Sequence, residues 1–77
     1  MSDDEIADVL MRLAFERGVG KTFCPSEAAR RLAEDWRPLM PRIRQVAATL
    51  PLRVTQKAEE IDISTAKGAI RLSLRGD

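Results

Sequence analysis

The sequence predicts an α+β fold, mainly α: three helices with a small antiparallel sheet and a C-terminal β-hairpin. Three observations carry this. Apolar residues recur at helical spacing as far as Leu50, the apolar period changes to two beyond it, and capping residues or prolines stand at the helix starts. The 77 residues are expected to form one domain, 1–77, with a modest core.

The first helix starts at Ser2-x-x-Glu5, a capping box, with Asp3 and Asp4 favoured at the positive helix end. Ile6, Val9, Leu10 and Leu13 supply its apolar face, and Gly18 is a natural stop after Arg17. Met11 and Phe15 fall on nearly the opposite side, one turn apart, so this helix is apolar around much of its circumference. Lys21-Thr22-Phe23 reads as a short extended segment. Pro25 then opens a short second helix whose inner face is Pro25, Ala28, Ala29 and Leu32. Glu27–Arg31 and Arg30–Glu34 are spaced to pair along its outside. Residues 33–37 form a turn, and the third helix follows with Leu39, Ile43, Val46 and Leu50 at helical spacing, ending before Pro51.

Leu52-Arg53-Val54-Thr55-Gln56 alternates as a half-buried strand does, and residues 69–74 alternate again with Ile70, Leu72 and Leu74 on one face. A polar loop with one apolar island, Ile61-Asp62-Ile63, joins these two antiparallel strands. The order helix, short strand, helix, helix, strand, loop, strand is that of a winged helix, with the second and third helices as the helix-turn-helix pair and the hairpin as the wing.

The composition, 44% hydrophobic and 32% charged with net charge +1, is that of a soluble globular chain. No apolar run reaches membrane-helix length, the start is acidic rather than that of a secretory leader, and the lone Cys suits a reducing compartment, so a cytoplasmic setting without membrane contact is expected. There is no His, which removes the commonest general base and metal ligand. Ser26, Ser64 and Ser73 have no imidazole to activate them, and Gly18-x-Gly20 lacks the third glycine and preceding strand of a dinucleotide site. The chain is therefore expected to be no enzyme and to need no metal, cofactor or small-molecule substrate. Cys24, just ahead of Pro25, is either a thiol activated by a helix start or a small buried apolar residue.

Lys21-Thr22-Phe23-Cys24-Pro25-Ser26-Glu27-Ala28-Ala29-Arg30, then Trp36-Arg37-x-Leu39-Met40, Arg44, and Lys67-Gly68-x-Ile70-Arg71 resemble a family of small bacterial domains of unknown function, the one numbered three-two-five-three. The resemblance spans about residues 5–74 and implies a winged-helix-like fold, with no activity, substrate or cofactor to carry over. Pro51 and Ala58 stand close to where members of that family carry glycines flanking the first wing strand.

Charge is unevenly spread. Residues 1–36 hold eight acids and five bases, residues 37–77 eight bases and four acids, and no acid interrupts the five bases from Arg37 to Lys57. On the third helix Arg37 and Arg44 share one flank, Arg42 lies on the other, and Gln45 is near the middle of the outer face beside Pro41 and Ala48. These residue types read base edges or bind phosphate, and Lys57, Lys67 and Arg71 would bring the wing to the backbone of double-stranded DNA. Arg71 is equally placed to pair with an acid such as Asp62, and Trp36 reads as a core anchor or as a base-stacking platform. The expectation is a non-catalytic DNA-binding module; the alternative is a protein–protein interaction module without nucleic acid. Met11 and Phe15 are the candidate interface of a homodimer through the first helix, unless the segment at Lys21–Phe23 and the wing cover them or they stay exposed.

Overall fold

A computed structural model describes residues 2–75; Met1 and residues 76–77, the ends of the expected 1–77 span, lie outside the described residues. Three helices, α1 (Asp3–Arg17), α2 (Pro25–Leu32) and α3 (Met40–Ala47), precede three strands, β1 (Leu52–Gln56), β2 (Glu59–Glu60) and β3 (Arg71–Leu74). The strands form one antiparallel sheet in the order β2-β1-β3. This is a mixed α+β fold whose element order is consistent with a winged-helix-like topology. Among the described residues, no helix is long and apolar enough to cross a membrane.

The capping box at Ser2 and Glu5 closes the start of α1, and Gly18 at φ +85° ends it, a backbone angle that side chains with a Cβ rarely adopt. Ile6, Leu10, Leu13 and Ala14 are fully buried, and α1 packs against α2, α3 and β3. Val9 and Met11 pack on the rim of this core, half-buried, while Phe15 is 67% exposed. α2 contributes Pro25, Ala28 and Ala29, small side chains that let it lie close to α1. Cys24 caps α2 through its backbone N–H, which donates to Glu27 at 2.9 Å, and its half-buried thiol accepts from the Ser26 hydroxyl at 3.1 Å.

Four local expectations are corrected. The expected i,i+4 pairs of α2 do not form; Glu27 instead takes Arg17, and Arg31 takes Glu16 at 2.8 Å, so the charges staple α2 to α1. That bond to Arg31 holds the Glu16 carboxyl below its ordinary pKa and raises that of Arg31. The segment at Lys21–Phe23 is not a strand. It makes a single antiparallel bridge in which Phe23 and Leu72 exchange both backbone hydrogen bonds at 2.8 Å, while Val19 bridges Leu74 in parallel. Burial of the Phe23 ring, fully inaccessible, explains why so short a pairing holds. The third helix is split: a 3₁₀ turn at Arg37–Leu39 leads into α3, which ends at Ala47 rather than Leu50. The two prolines, Pro38 and Pro41, each stand at the beginning of one piece, where a missing N–H is tolerated.

The fourth correction concerns the wing. β1 buries Leu52 and Val54 as expected, and β1 pairs β3 with Val54 opposite Leu72. The joining segment is not simply a loop. Lys57 and Ala58, at φ +52° and +68°, make a two-residue turn into β2, so that Gln56 faces Glu59. Ile61 then extends the ladder by donating to Val54 at 3.0 Å, and Ile61 and Ile63 pack on the core's edge. Asp62 caps the next turn by accepting from the Ser64 backbone N–H at 2.9 Å and its hydroxyl at 2.8 Å. On β3, Ser73 is buried and Leu74 only half-buried. Ser73 shares a depression with Arg53, Glu60 and Arg75, and both arginines reach Glu60, at 3.2 and 3.9 Å, over the outer face of the sheet.

Candidate nucleic-acid interface

A carboxylate partner offsets a cation's charge and takes up some of its N–H donors, so the pairing of each base is a first measure of what the surface offers. Among the described residues, Arg12, Arg17, Arg31, Arg42, Arg53 and Arg75 are in ion pairs. Lys21, Arg30, Arg37, Arg44, Lys57, Lys67 and Arg71 have no carboxylate in salt-bridge range among the described residues.

The seven residues singled out from the sequence fall into three groups. The first is α3 itself. Arg42 pairs with Asp3 at 2.7 Å, which brings the acidic start of α1 against the helix. Gln45 is exposed on the outer face, and the depression beside it is lined by Asp3, Asp4 and Ala7 of α1. Arg44 is half-buried and does not project freely from the flank. It donates to the carbonyls of Ala66 and Gly68, both at 3.2 Å, and so ties the wing to α3. The second group is Arg37, which lies before α3 in the 3₁₀ turn, its guanidinium 4.7 Å from the Trp36 ring.

The third group is the wing. Lys57, Lys67 and Arg71 surround one open depression whose other lining residues are Gln56, Gly68 and Ala69, with no carboxylate among them. Three local features assemble it. The positive-φ turn carries Lys57 at the hairpin tip. Gly68, at φ +83°, bends the returning strand, a conformation that strains any residue with a Cβ. Gln56 donates its amide N–H groups to the carbonyls of Lys67 and, at 3.2 Å, Ala69. Arg44 on one side and Gln56 on the other thus brace residues 66–69, which fixes Lys67 relative to Lys57. Arg71 does not reach Asp62; it donates to the Thr22 hydroxyl at 3.0 Å and the Thr22 carbonyl at 3.2 Å. Asp62 is satisfied by Ser64, whose backbone N–H and then hydroxyl lower its pKa.

Sequence reasoning passed over Gln56 and Arg30. Gln56 reads as the polar end of a strand, and nothing local marks it as a brace. Arg30, near the end of α2, lies 4.9 Å from the Trp36 ring. Trp36 packs half-buried at the edge of the core, so it is less of an anchor than a lone Trp in a small chain suggests. Of the candidate dimer contacts, Met11 is half-buried against the core and Phe15 is 67% exposed; Val19, past the end of α1, is 61% exposed.

No curated protein matches the chain. The profile of one family, described as protein of unknown function (DUF3253), matches residues 3–75. That match covers all three helices and the sheet from β1 to β3 with both braces of the wing, and the chain belongs to this family of proteins of unknown function.

Proposed function

We propose that the chain is a non-catalytic, cytoplasmic DNA-binding module that grips the phosphate backbone of a duplex with its wing. Lys57, Lys67 and Arg71 are the contacts. The observation that supports the reading most is the carboxylate-free depression these three cations share, beside the backbone of residues 66–69 that Arg44 and Gln56 hold. Arg71, its guanidinium already held by Thr22, loses less conformational freedom on binding than a free cation. Arg71 keeps part of its guanidinium edge for a phosphate, since its bonds to Thr22 use Nε and one terminal nitrogen. The role of α3 shifts accordingly. Arg42 is neutralised by Asp3, Arg44 is a brace, and Gln45 alone remains as a reader on the outer face.

The test is the salt dependence of duplex binding. The slope of log affinity against log salt is about 0.9 per phosphate neutralised. The Lys57→Gln/Lys67→Gln/Arg71→Gln variant is expected to bind more weakly with a slope smaller by about 2–3, while Arg42→Gln leaves it unchanged. Duplex binding by the triple variant that equals the wild type's, at every salt concentration, refutes the wing as the contact.

A second reading is favoured by one observation, the exposure of Phe15 and Val19 across the end of α1. A protein partner or a second copy of the chain would cover them, and that association would be nearly indifferent to salt. Sedimentation of the wild type beside Phe15→Glu distinguishes it: loss of an oligomer on substitution supports this reading, and a wild type that is monomeric at high concentration removes the homodimer.

A further inference from the structure

The corner between α2 and α3 holds a second cluster that the wing does not account for. Arg30, near the end of α2, and Arg37, in the 3₁₀ turn, both place their guanidinium carbons over the Trp36 ring, at 4.9 and 4.7 Å. Both arginines are exposed, and neither has a carboxylate or any side-chain hydrogen bond among the described residues. Glu34 and Asp35, adjacent in sequence, do not come into ion-pair range of them. Two like charges held against one indole repel each other, and no carboxylate among the described residues comes into salt-bridge range of either. Contact with an aromatic face engages the flat side of a guanidinium and leaves its edge N–H donors open. Those edges match the paired oxygens of a phosphate group.

We propose that Arg30 and Arg37, positioned by Trp36, form a second phosphate-binding site for the backbone of the same duplex. This rests on the wing reading and extends it. α3 links the two places: Arg37 stands at the entry to the helix, and Arg44, further along it, braces the wing. The rise of a 3₁₀ turn followed by α-helix puts about 12 Å between those two positions. At ~3.4 Å of rise per nucleotide, a strand leaving the wing spans that distance in roughly three to four nucleotides. That spacing lets the corner and the wing contact one strand at two points.

Trp36 is the only Trp and there is no Tyr, so intrinsic emission reports on this corner alone. The experiment measures Trp36 emission and the salt slope of duplex binding for the wild type and Arg30→Gln/Arg37→Gln, with far-UV circular dichroism to show that the exposed substitutions leave the fold intact. Inorganic pyrophosphate at low salt is the second probe. The expected results are that pyrophosphate and duplex DNA each perturb wild-type emission, that pyrophosphate no longer does so in the variant, and that the variant's slope is smaller by about 1–2. Arg37→Lys keeps the charge but not the planar fork, and is expected to recover little of the lost affinity. Wild-type emission unmoved by pyrophosphate, or a folded double variant with an unchanged slope, overturns the proposal. The two readings fail separately. A wing triple variant that binds normally beside a weakened corner variant removes the wing and keeps the corner; the reverse removes the corner alone.

Discussion

α3 carries two cations and the wing depression three, and the two places use them in opposite ways, although Arg53 and Arg75, on the sheet's outer face, are paired with Glu60. On α3 the charge is spent inside the molecule: Arg42 on Asp3, Arg44 on the carbonyls of Ala66 and Gly68. On the wing, Lys57 and Lys67 have no partner among the described residues, and Arg71 is held only by the neutral Thr22. The difference teaches that a basic stretch of sequence measures neither exposure nor availability. What counts is whether an acid or a carbonyl from elsewhere in the fold reaches the cation first. Here the helix supplies the scaffold and the hairpin supplies the charge, with Arg44 as the joint between them.

The sharpest way to break the comparison is at that joint. Arg44→Ala removes two hydrogen bonds from a charged donor to wing carbonyls and is expected to lower stability by about 2 kcal/mol. At roughly 4–8 °C per kcal/mol for a domain of this size, that is a melting decrease of about 10 °C or somewhat more. Unchanged melting together with a salt slope smaller by about 0.9 would make Arg44 a phosphate contact and erase the distinction between the two regions.

Gly68→Ala probes the other end of the same bonds. Its added Cβ meets only the Gln56 amide nitrogen at 3.8 Å, an ordinary contact, so any loss comes from the backbone at φ +83°. A destabilisation of about 1 kcal/mol is expected from that strain. Thermal melting equal to the wild type's would show that the wing relaxes without its bend.

Ala58→Gly acts in the opposite direction. Ala58 sits at φ +68° in the two-residue turn, where glycine is unstrained. A gain of about 0.5 kcal/mol is expected, with duplex binding preserved because Lys57 keeps its place at the tip. A loss of stability, read by chemical denaturation, would mean that the turn is held by more than its backbone angles.

The smallest effect separates the wing from the α1–α2 seam by pH. The carboxyls of Asp62 and Glu16 both titrate below their ordinary range in the folded chain, Asp62 through the Ser64 N–H and hydroxyl, Glu16 through Arg31. A depressed folded pKa means stabilisation that is present above the ordinary carboxylate range and lost as pH falls through the folded value. Asp62→Asn and Glu16→Gln are each expected to flatten the acid side of the melting curve slightly. Parallel pH profiles for wild type and both variants would show that neither group contributes.

Much of the architecture was legible because its signals are local. The capping box at Ser2, the stop at Gly18, the proline ahead of Ala28 and the alternation of β1 each act within a few residues, and each appears where the sequence places it. Phe23 shows where that reading ends. It looks like one residue of a brief extended stretch, yet it is among the largest fully buried side chains and bridges β3 at Leu72. The island at Ile61 and Ile63 was visible, but not that Glu59–Glu60 just before it pair with β1 as a further strand, because that depends on the exposed edge of β1 lying within reach.

The sequence by itself determined where α1, α2 and β1 lie and that a third helix and a last strand follow, since caps, prolines and apolar period are properties of neighbouring residues. It also determined that the basic residues concentrate beyond Arg37. Only the tertiary structure decided what each cation does. Arg42 meets an acid 39 residues away, Arg44 a carbonyl 22 residues away, and Arg71 a threonine 49 residues away. Coulombic and hydrogen-bonding partners are chosen by distance in space, and a linear pattern carries that distance only where a single helix or strand spans it.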